Sequence, residues 1–451
     1  MALNRRELVG LPALGALACL GLRSTPGNSA PVAVAGKGLR APTPPMGWNS
    51  WNSFATPLTE AQALETAKIM AEKLLPFGYD VFTVDIQWYE PNATGYAYRQ
   101  GADLAIDGQG RLLPAPNRFP SSAGGRGFKP LADKIHALGL KFGVHLMRGI
   151  PRLAYERNLP ILGTSYTARD IANPNSICTW NTDMYGVDMS KPGAQDYYNS
   201  VFRLFAEWGV DFVKMDDMSR PYGINWPEIE AAQAAIGASG RSITLSLSPG
   251  ETDIAWGPHA QKYAQMWRIS DDFWDEWKLL KDQFARLAAW NAYRRPGAWP
   301  DADMLPLGLL AMGSRKTKFT PDEQQTLMTL WSIARSPLIM GGDLRALDVA
   351  TLKLLTNREV IEANQRSDSN VQVSNDGERV VWTAQTPDGK GRYLALFNIG
   401  DEPLTIEQEL KAIDAPRKAR ALNLWTGQTS DVDSRIALEL RNHQSAFFKL
   451  T

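Results

Sequence analysis

The stretch Trp208-Gly209-Val210-Asp211-Phe212-Val213-Lys214-Met215-Asp216-Asp217 decides the fold of this chain. A helical pattern ends at the glycine, a short apolar run follows at once, and that run finishes in acidic residues. Two further stretches have the same junction: Phe77-Gly78-Tyr79-Asp80-Val81 and Leu138-Gly139-Leu140-Lys141-Phe142. Helical patterns that alternate with short apolar strands predict a parallel α/β architecture.

Eight strand candidates follow one another along the chain, at 46–51, 81–85, 142–145, 212–216, 242–247, 266–270, 298–305 and 337–342. Eight strand-then-helix units predict a (β/α)8 TIM barrel, and no Gly-x-Gly-x-x-Gly opens a helix after the first strand, which disfavours nucleotide binding. After about residue 365 the helical patterns give way to short β-type runs separated by turns. We therefore predict a signal peptide at 1–35, a barrel at 36–364 and a small C-terminal antiparallel β-sandwich at 365–451.

Two connections are too long to be simple turns, at 89–127 and at 148–192. Both follow strands, and loops after the strands of a barrel surround its active site. We expect these two segments to shape the mouth of the site.

The charge balance excludes several classes of partner. The 48 Lys and Arg residues equal the 48 Asp and Glu residues, so the chain offers no net field to a nucleic acid or an anionic membrane. A neutral substrate fits better. The chain is also rich in Trp, Tyr and Phe, whose flat rings suit the C–H faces of sugars, although most aromatic residues fill cores.

The N-terminus predicts export, to the periplasm or the medium. Arg5 and Arg6 precede an apolar run at 8–22, too short to span a membrane, and small residues end at Ala33-Val34-Ala35. The arginine pair resembles a twin-arginine signal, but ordinary signals also carry two arginines. Removal of this segment leaves Cys178 as the one cysteine, which makes neither an intrachain disulfide nor a zinc site.

Four predicted strands end in acidic residues: the second in Asp85, the fourth in Asp216 and Asp217, the sixth in Asp271 and Asp272, and the seventh in Asp301 and Asp303. Glycosidic cleavage needs two carboxyl groups that converge on one cavity. Strand alternation places Lys214 on the face of Asp216, which favours Asp216 over Asp217 as an ionised nucleophile. It also favours Asp272 over Asp271 as the acid/base, in register with Arg268, if the sixth strand continues that far.

Each of these residues also has a structural interpretation. An acidic residue at a strand end often caps the next helix. Lys214 would then be part of a core ion pair, and Arg268 would pair with Asp275 or Glu276. Of the four histidines only His145 ends a strand, and the sequence shows no His, Asp and Glu set with the spacing of metal ligands. We predict neither a metal nor another cofactor.

The segment Pro45-Met46-Gly47-Trp48-Asn49-Ser50-Trp51-Asn52-Ser53-Phe54 resembles the opening of glycoside hydrolase family 27, the melibiase-type α-galactosidases. Further matches follow in order at 85–88, 212–216, 267–272, 299–305 and 336–344. The resemblance implies that Asp216 is the nucleophile and Asp272 the acid/base, and that Trp51, Asp85, Lys214 and Arg268 contact the sugar. It implies a retaining, exo-acting enzyme for terminal α-D-galactosides of oligosaccharides or polysaccharide side chains.

Three residues depart from the family pattern. Ile86 replaces the second Asp of the family's Asp-Asp-x-Trp motif, His145 replaces a tyrosine, and Ser248 leaves room at the sugar's 2-position. Two other substrates therefore stay open, an α-N-acetylgalactosaminide and a β-L-arabinopyranoside, the latter being galactose without its hydroxymethyl group. From a different class, a barrel that binds sugars without hydrolysing them also stays open.

Overall fold

The computed structural model describes residues 38–451, so the predicted signal peptide lies outside the described residues. Eight parallel strands form the first part of the fold: β1 (Met46–Asn49), β2 (Val81–Val84), β3 (Lys141–Met147), β4 (Phe212–Asp216), β5 (Thr244–Leu247), β6 (Met266–Arg268), β7 (Trp299–Asp301) and β8 (Leu338–Met340). The helices lie at Trp51–Phe54, Glu60–Lys73, Lys129–Ala137, Arg152–Glu156, Ala168–Ile171, Ala194–Trp208, Tyr222–Ser239, Gly257–Tyr263, Trp277–Trp290, Pro321–Ala334, Val349–Leu355 and Arg358–Arg366.

The eight strands close into a barrel. Each strand from β1 to β6 pairs in parallel with the next, and β1 also pairs with β8, with Met46 opposite Leu338. The gap between β7 and β8 is bridged by Leu305, whose backbone N donates to the carbonyl oxygen of Ile339 at 2.8 Å and whose carbonyl accepts from Gly341 at 3.0 Å. The predicted (β/α)8 barrel is confirmed.

The glycine junctions explain why the chain turns from helix to strand. Gly78, Gly139 and Gly209 have φ values of 98°, 82° and 85°, a left-handed conformation that costs other residues free energy because of their Cβ atoms. The strands that follow are almost wholly buried, since helices cover the outside of the barrel and side chains fill its interior.

The two long connections differ in structure. The segment 89–127 has little regular structure apart from a single 3-10 turn at Pro120–Ser122. The segment 148–192 contains a small antiparallel sheet of Ile150–Pro151, Met184–Val187 and Ala172–Ile177. We refer to residues 148–192 as the insertion.

The C-terminal part is an antiparallel β-sandwich, as predicted. Its strands are β9 (Asp368–Asn375), β10 (Arg379–Gln385), β11 (Arg392–Asn398), β12 (Leu404–Glu409), β13 (Lys418–Asn423), β14 (Thr429–Asp433), β15 (Arg435–Leu440) and β16 (Ser445–Leu450). Six of them form one sheet, and β12 pairs with β15 in the other. The sandwich packs on the barrel helix Pro321–Ala334, where Thr326 donates to the carbonyl oxygen of His443 at 2.7 Å.

Two further features concern the described residues as a whole. Cys178 is buried with a free thiol. Within residues 38–451, no helix is both long enough and apolar enough to cross a membrane.

Candidate active site

A cavity of about 440 Å³ opens at the carboxyl ends of the barrel strands, which we call the catalytic pocket. Side chains from several strand ends converge here because parallel strands finish at the same edge of the barrel. Five of the predicted site residues line it together with five residues that the sequence did not single out for the site: Trp51, Asp85, Lys214, Asp216 and Asp272, then Tyr98, Trp180, Arg220, Pro249 and Asp271.

Asp216 is buried in the floor of this pocket between two nitrogen bases. Its Oδ2 lies 2.9 Å from Nε2 of His145 and 3.9 Å from Nζ of Lys214. Burial alone would raise the pKa of Asp216, but the charges of Lys214 and His145 outweigh it and hold that pKa well below its ordinary range. Asp216 is therefore an ionised carboxylate at neutral pH.

Lys214 joins two carboxylates of the floor. Its Nζ donates to Oδ2 of Asp85 at 2.9 Å, and the same oxygen accepts from Nδ2 of Asn49 at 2.6 Å. Burial would lower the pKa of Lys214, but Asp216 and Asp85 raise it above its ordinary value, so the amine stays charged. Lys214 is thus both a member of a buried ion pair and part of the pocket wall.

Asp272 lies in the same pocket, but a loop places it there and not the alternation of side chains along a strand. Because β6 ends at Arg268, the four residues that follow form a loop, and the expected continuation of the strand is wrong. Nη2 of Arg268 nevertheless lies 3.2 Å from Oδ1 of Asp272, and it lies 2.8 Å from Oδ2 of Asp303. The Asp272 side chain is 53% exposed and that of Asp216 is 8% exposed, so the two carboxylates differ in access to water.

The two neighbouring acidic residues differ: Asp217 lies away from the catalytic pocket, as alternation predicts, whereas Asp271 does not. Asp217 follows the end of β4 with φ 61°, and its Oδ2 accepts from Nη2 of Arg148 at 2.8 Å, which turns it toward the insertion. Asp271 does not point away as expected, because it lines the catalytic pocket, where it pairs with Arg220.

Three predicted sugar contacts, His145, Ser248 and Arg268, lie behind the pocket wall. His145 is buried and reaches Asp216. Ser248 and Arg268 line a small cavity of about 30 Å³ inside the barrel, next to Asp301 and Asp303. The structural interpretation of the sequence paired Arg268 with Asp275 or Glu276. In the structure Arg268 pairs with Asp303, and Asp275 binds Arg315 instead.

One trio in the floor has the composition of a metal site. The ligand atoms of Asp85, His145 and Asp216 lie within 4.8 Å of one another. The ammonium group of Lys214, 2.9 Å from Asp85 and 3.9 Å from Asp216, already neutralises these carboxylates and would repel a cation. The trio therefore fits a lysine-balanced carboxylate pair better than a metal site.

Two aromatic residues of the pocket rim, Tyr98 and Trp180, were missed by the sequence reasoning, whereas their neighbour Trp51 was predicted. Tyr98 stacks on Trp51 with ring centroids 6.0 Å apart and an interplanar angle of 7°, and its ring lies 5.5 Å from that of Trp180. Tyr98 comes from 89–127 and Trp180 from the insertion. The length of these loops predicted their place at the mouth, but no periodic pattern inside them indicates which side chain faces the pocket.

Comparison with known proteins agrees with this architecture. The family model for the alpha galactosidase A domain matches residues 182–366, and the model for the alpha-galactosidase C-terminal β-sandwich domain matches residues 376–450. An alpha-galactosidase from Coffea arabica is 31% identical over 91% of this chain and 94% of its own length.

Two solved structures are more similar. A β-L-arabinopyranosidase of family 27 from Geobacillus stearothermophilus is 49% identical, with a TM-score of 0.89 over 91% of this chain and 97% of that one. A Bacillus halodurans protein, provisionally assigned as an alpha-N-acetylgalactosaminidase, is 46% identical, with a TM-score of 0.83 over 92% of this chain and 99% of that one. The chain therefore belongs to glycoside hydrolase family 27, the melibiase-type family, and is a glycosidase.

Proposed function

We propose that this enzyme is a retaining, exo-acting α-galactosidase that removes terminal α-D-galactose from oligosaccharides or polysaccharide side chains. The observation that carries the proposal is the pair of unlike carboxylates in one pocket. Asp216 is buried and held ionised beside Lys214, whereas the Asp272 side chain is 53% exposed to water. A retaining mechanism needs an ionised nucleophile and a second carboxyl group in the same pocket to act as acid/base.

The proposed reaction has two displacements. Asp216 attacks the anomeric carbon while Asp272 donates its proton to the glycosidic oxygen, which leaves with the rest of the substrate. Asp272, now a carboxylate, takes a proton from a water molecule that attacks the glycosyl ester of Asp216. The sugar is released with the anomeric configuration that it had in the substrate.

The floor supplies the contacts for the sugar hydroxyl groups. Asp85 and Lys214 line the pocket with charged groups that are themselves hydrogen-bonded, so their positions are fixed before a sugar binds. Arg268 stands behind Asp272 and is fixed in turn by Asp303. Trp51 offers an apolar ring at the rim. This combination of fixed polar groups and a flat ring supports recognition of one terminal pyranose.

A second candidate substrate is a terminal β-L-arabinopyranoside, and Ile86 favours it. Ile86 is 1% exposed and presents no hydrogen-bonding group where the family usually has an aspartate. The two sugars share their ring configuration and differ in the hydroxymethyl group that only galactose carries. The Geobacillus stearothermophilus neighbour, which is named for that activity, supports this candidate as well.

A panel of nitrophenyl glycosides tests these proposals. We expect turnover of the α-D-galactoside, and a higher kcat/KM for the β-L-arabinopyranoside would make that sugar the true substrate. Preference for the α-N-acetylgalactosaminide would make that sugar the true substrate instead. NMR of the first product should show the β-L-arabinose or α-D-galactose anomer that the substrate carried. Binding without turnover of any of the three would favour the non-hydrolytic barrel.

We further propose that the enzyme acts outside the cytoplasm, in the periplasm or the medium. Arg5, Arg6 and the apolar run at 8–22 support this proposal. N-terminal sequencing of the mature protein should begin at or near residue 36. A mature protein that retains residues 1–35 would contradict it.

A further inference from the structure

Two clefts flank the catalytic pocket on different sides. The insertion cleft, of about 650 Å³, shares Trp180, Arg220 and Pro249 with the pocket. The aromatic cleft, of about 440 Å³, is lined by Trp51, Tyr96, Asp272, Trp274, Asp275 and Arg315, among others. An exo-acting enzyme needs one place for the terminal sugar and another for the group that leaves. The two clefts are the candidates for the second place.

The position of Asp272 separates these candidates. Asp272 lines both the catalytic pocket and the aromatic cleft, but it does not line the insertion cleft. A general acid must come within hydrogen-bonding reach of the oxygen that it protonates, which is the first atom of the leaving group. The leaving group therefore starts beside Asp272 and extends into the space that this side chain borders, which is the aromatic cleft.

The aromatic cleft has the surface that a sugar requires. The ring of Tyr96 stands edge-on to Trp51, with centroids 5.1 Å apart, and edge-on to Trp274, with centroids 5.9 Å apart. The Tyr96 hydroxyl donates to the carbonyl oxygen of Asn52 at 2.7 Å, which fixes its ring. Trp274 remains partly exposed. Rings fixed in this way can pack against the C–H face of a pyranose without loss of their own freedom.

The floor of the aromatic cleft is equally well fixed. Asp275 is buried, and its two oxygens accept from Arg315 and from the backbone N of Lys318, the latter at 2.6 Å. Glu276 and Lys318 are exposed at the outer edge and offer hydrogen bonds to hydroxyl groups. Since the acidic and basic side chains balance apart from Asp272, the cleft suits a neutral leaving group.

We propose that the aromatic cleft is the leaving-group subsite and that Trp274 is its platform for a neutral pyranose, an inference that rests on the proposed glycosidase function. The natural substrate is then a glycoside whose terminal sugar is linked to another sugar. Trp274 acts by binding and takes no part in the bond changes.

The test compares two substrates with the same terminal sugar, whichever the native enzyme prefers. One is a disaccharide with glucose as the leaving group, and the other is the glycosyl fluoride, whose leaving group occupies no subsite. The measured quantity is the kcat/KM of the disaccharide divided by the kcat/KM of the fluoride. We expect Trp274→Ala to lower this ratio by about 5- to 10-fold. Trp274→Leu should show the same loss, since it keeps apolar bulk without a flat face, and Trp274→Phe should restore most of the ratio.

Ile224→Ala is the matched control, because this side chain lines the insertion cleft and is 69% exposed. It should leave the ratio unchanged. A fall in the ratio for Ile224→Ala, or no fall for Trp274→Ala and Trp274→Leu, would overturn the proposal. So would a shift in the basic limb of the pH profile of Trp274→Ala, because that would trace the loss to Asp272. If the native enzyme hydrolyses neither substrate, the proposed function fails instead.

Discussion

The floor and the rim of the catalytic pocket each contribute one carboxylate, and they are built in different ways. Asp216 ends a barrel strand, is almost fully buried and lies within 4 Å of two bases. Asp272 lies in a loop beyond the end of β6 and is half exposed. The floor thus fixes charge where water is excluded, whereas the carboxylate of the rim is open to solvent. Apart from the acid/base Asp272 itself, substitutions in the floor should therefore cost far more than substitutions in the rim.

The largest effect is expected at Asp216. Asp216→Gly should lower kcat by on the order of 10⁴-fold or more, because the covalent step loses its nucleophile. Azide should restore turnover by entering the space left in the floor, and the glycosyl azide should have the inverted anomeric configuration, which NMR can determine. Product of unchanged configuration would contradict the assignment.

Asp217→Asn is the matched control for this substitution. Its carboxylate is turned to Arg148 instead of the pocket. Azide should have no effect on its activity. An azide response from this variant would mean that the neighbouring carboxylate had been misassigned.

The next largest effect is expected at Lys214. In Lys214→Met the burial of Asp216 is no longer balanced by this cation, so the pKa of Asp216 rises. The acid limb of kcat/KM should move to higher pH, and activity at neutral pH should fall by on the order of 10²- to 10³-fold. The control is Lys141→Met, since this lysine pairs with Asp80 on the surface. If the acid limb of Lys214→Met stayed at the pH of the native enzyme, Lys214 would not set the charge of Asp216.

Asp301 lies in the small cavity inside the barrel and tests the cost of a buried charge without touching the reaction. Burial and the neighbouring Asp303 raise the pKa of Asp301 from 3.8 to about 7. Below pH 4 the residue is neutral in both folded and unfolded chains, but between about pH 4 and 7 only the unfolded chain loses the proton. Stability therefore falls as the pH rises through this window, by up to a few kcal/mol.

Asp301→Asn removes this penalty and keeps the oxygen that accepts from the backbone N of Asp303. Urea unfolding at pH 5 and pH 8 gives the difference in the free energy of unfolding between the variant and the native enzyme. This difference should favour the variant more at pH 8 than at pH 5. An equal difference at both values would mean that Asp301 is charged throughout.

The difference between the floor and the rim of the catalytic pocket also explains what the sequence could predict. The floor follows from local rules: a left-handed glycine precedes β2, β3 and β4, and alternation along β4 places Asp216 beside Lys214. The rim has no such rule, because β6 ends at Arg268 and the loop beyond it brings both Asp271 and Asp272 to the pocket. Asp272 was nominated by alternation and by the family motif, but only the motif gave a valid reason.

Tyr98 and Trp180 show the limit more clearly. Each comes from a long loop, and they contact one another only because both loops fold over the same barrel mouth. Contacts between segments that are distant in sequence leave no periodic signal in either. Loop length predicted the place of these residues, and the three-dimensional structure was needed to identify the side chains.

The smallest effect is expected at the ion pair of Arg220 and Asp271 in the rim. Their side chains are 59% and 63% exposed, so water screens the attraction between them. Arg220→Ala should change the free energy of unfolding by less than about 1 kcal/mol and raise KM only a few-fold. Arg268→Ala provides the contrast, because this side chain is 3% exposed and its removal leaves Asp303 buried without its partner. It should cost about 3 kcal/mol or more. Comparable losses of stability in the two variants, measured by urea unfolding, would mean that the rim is as rigidly built as the floor.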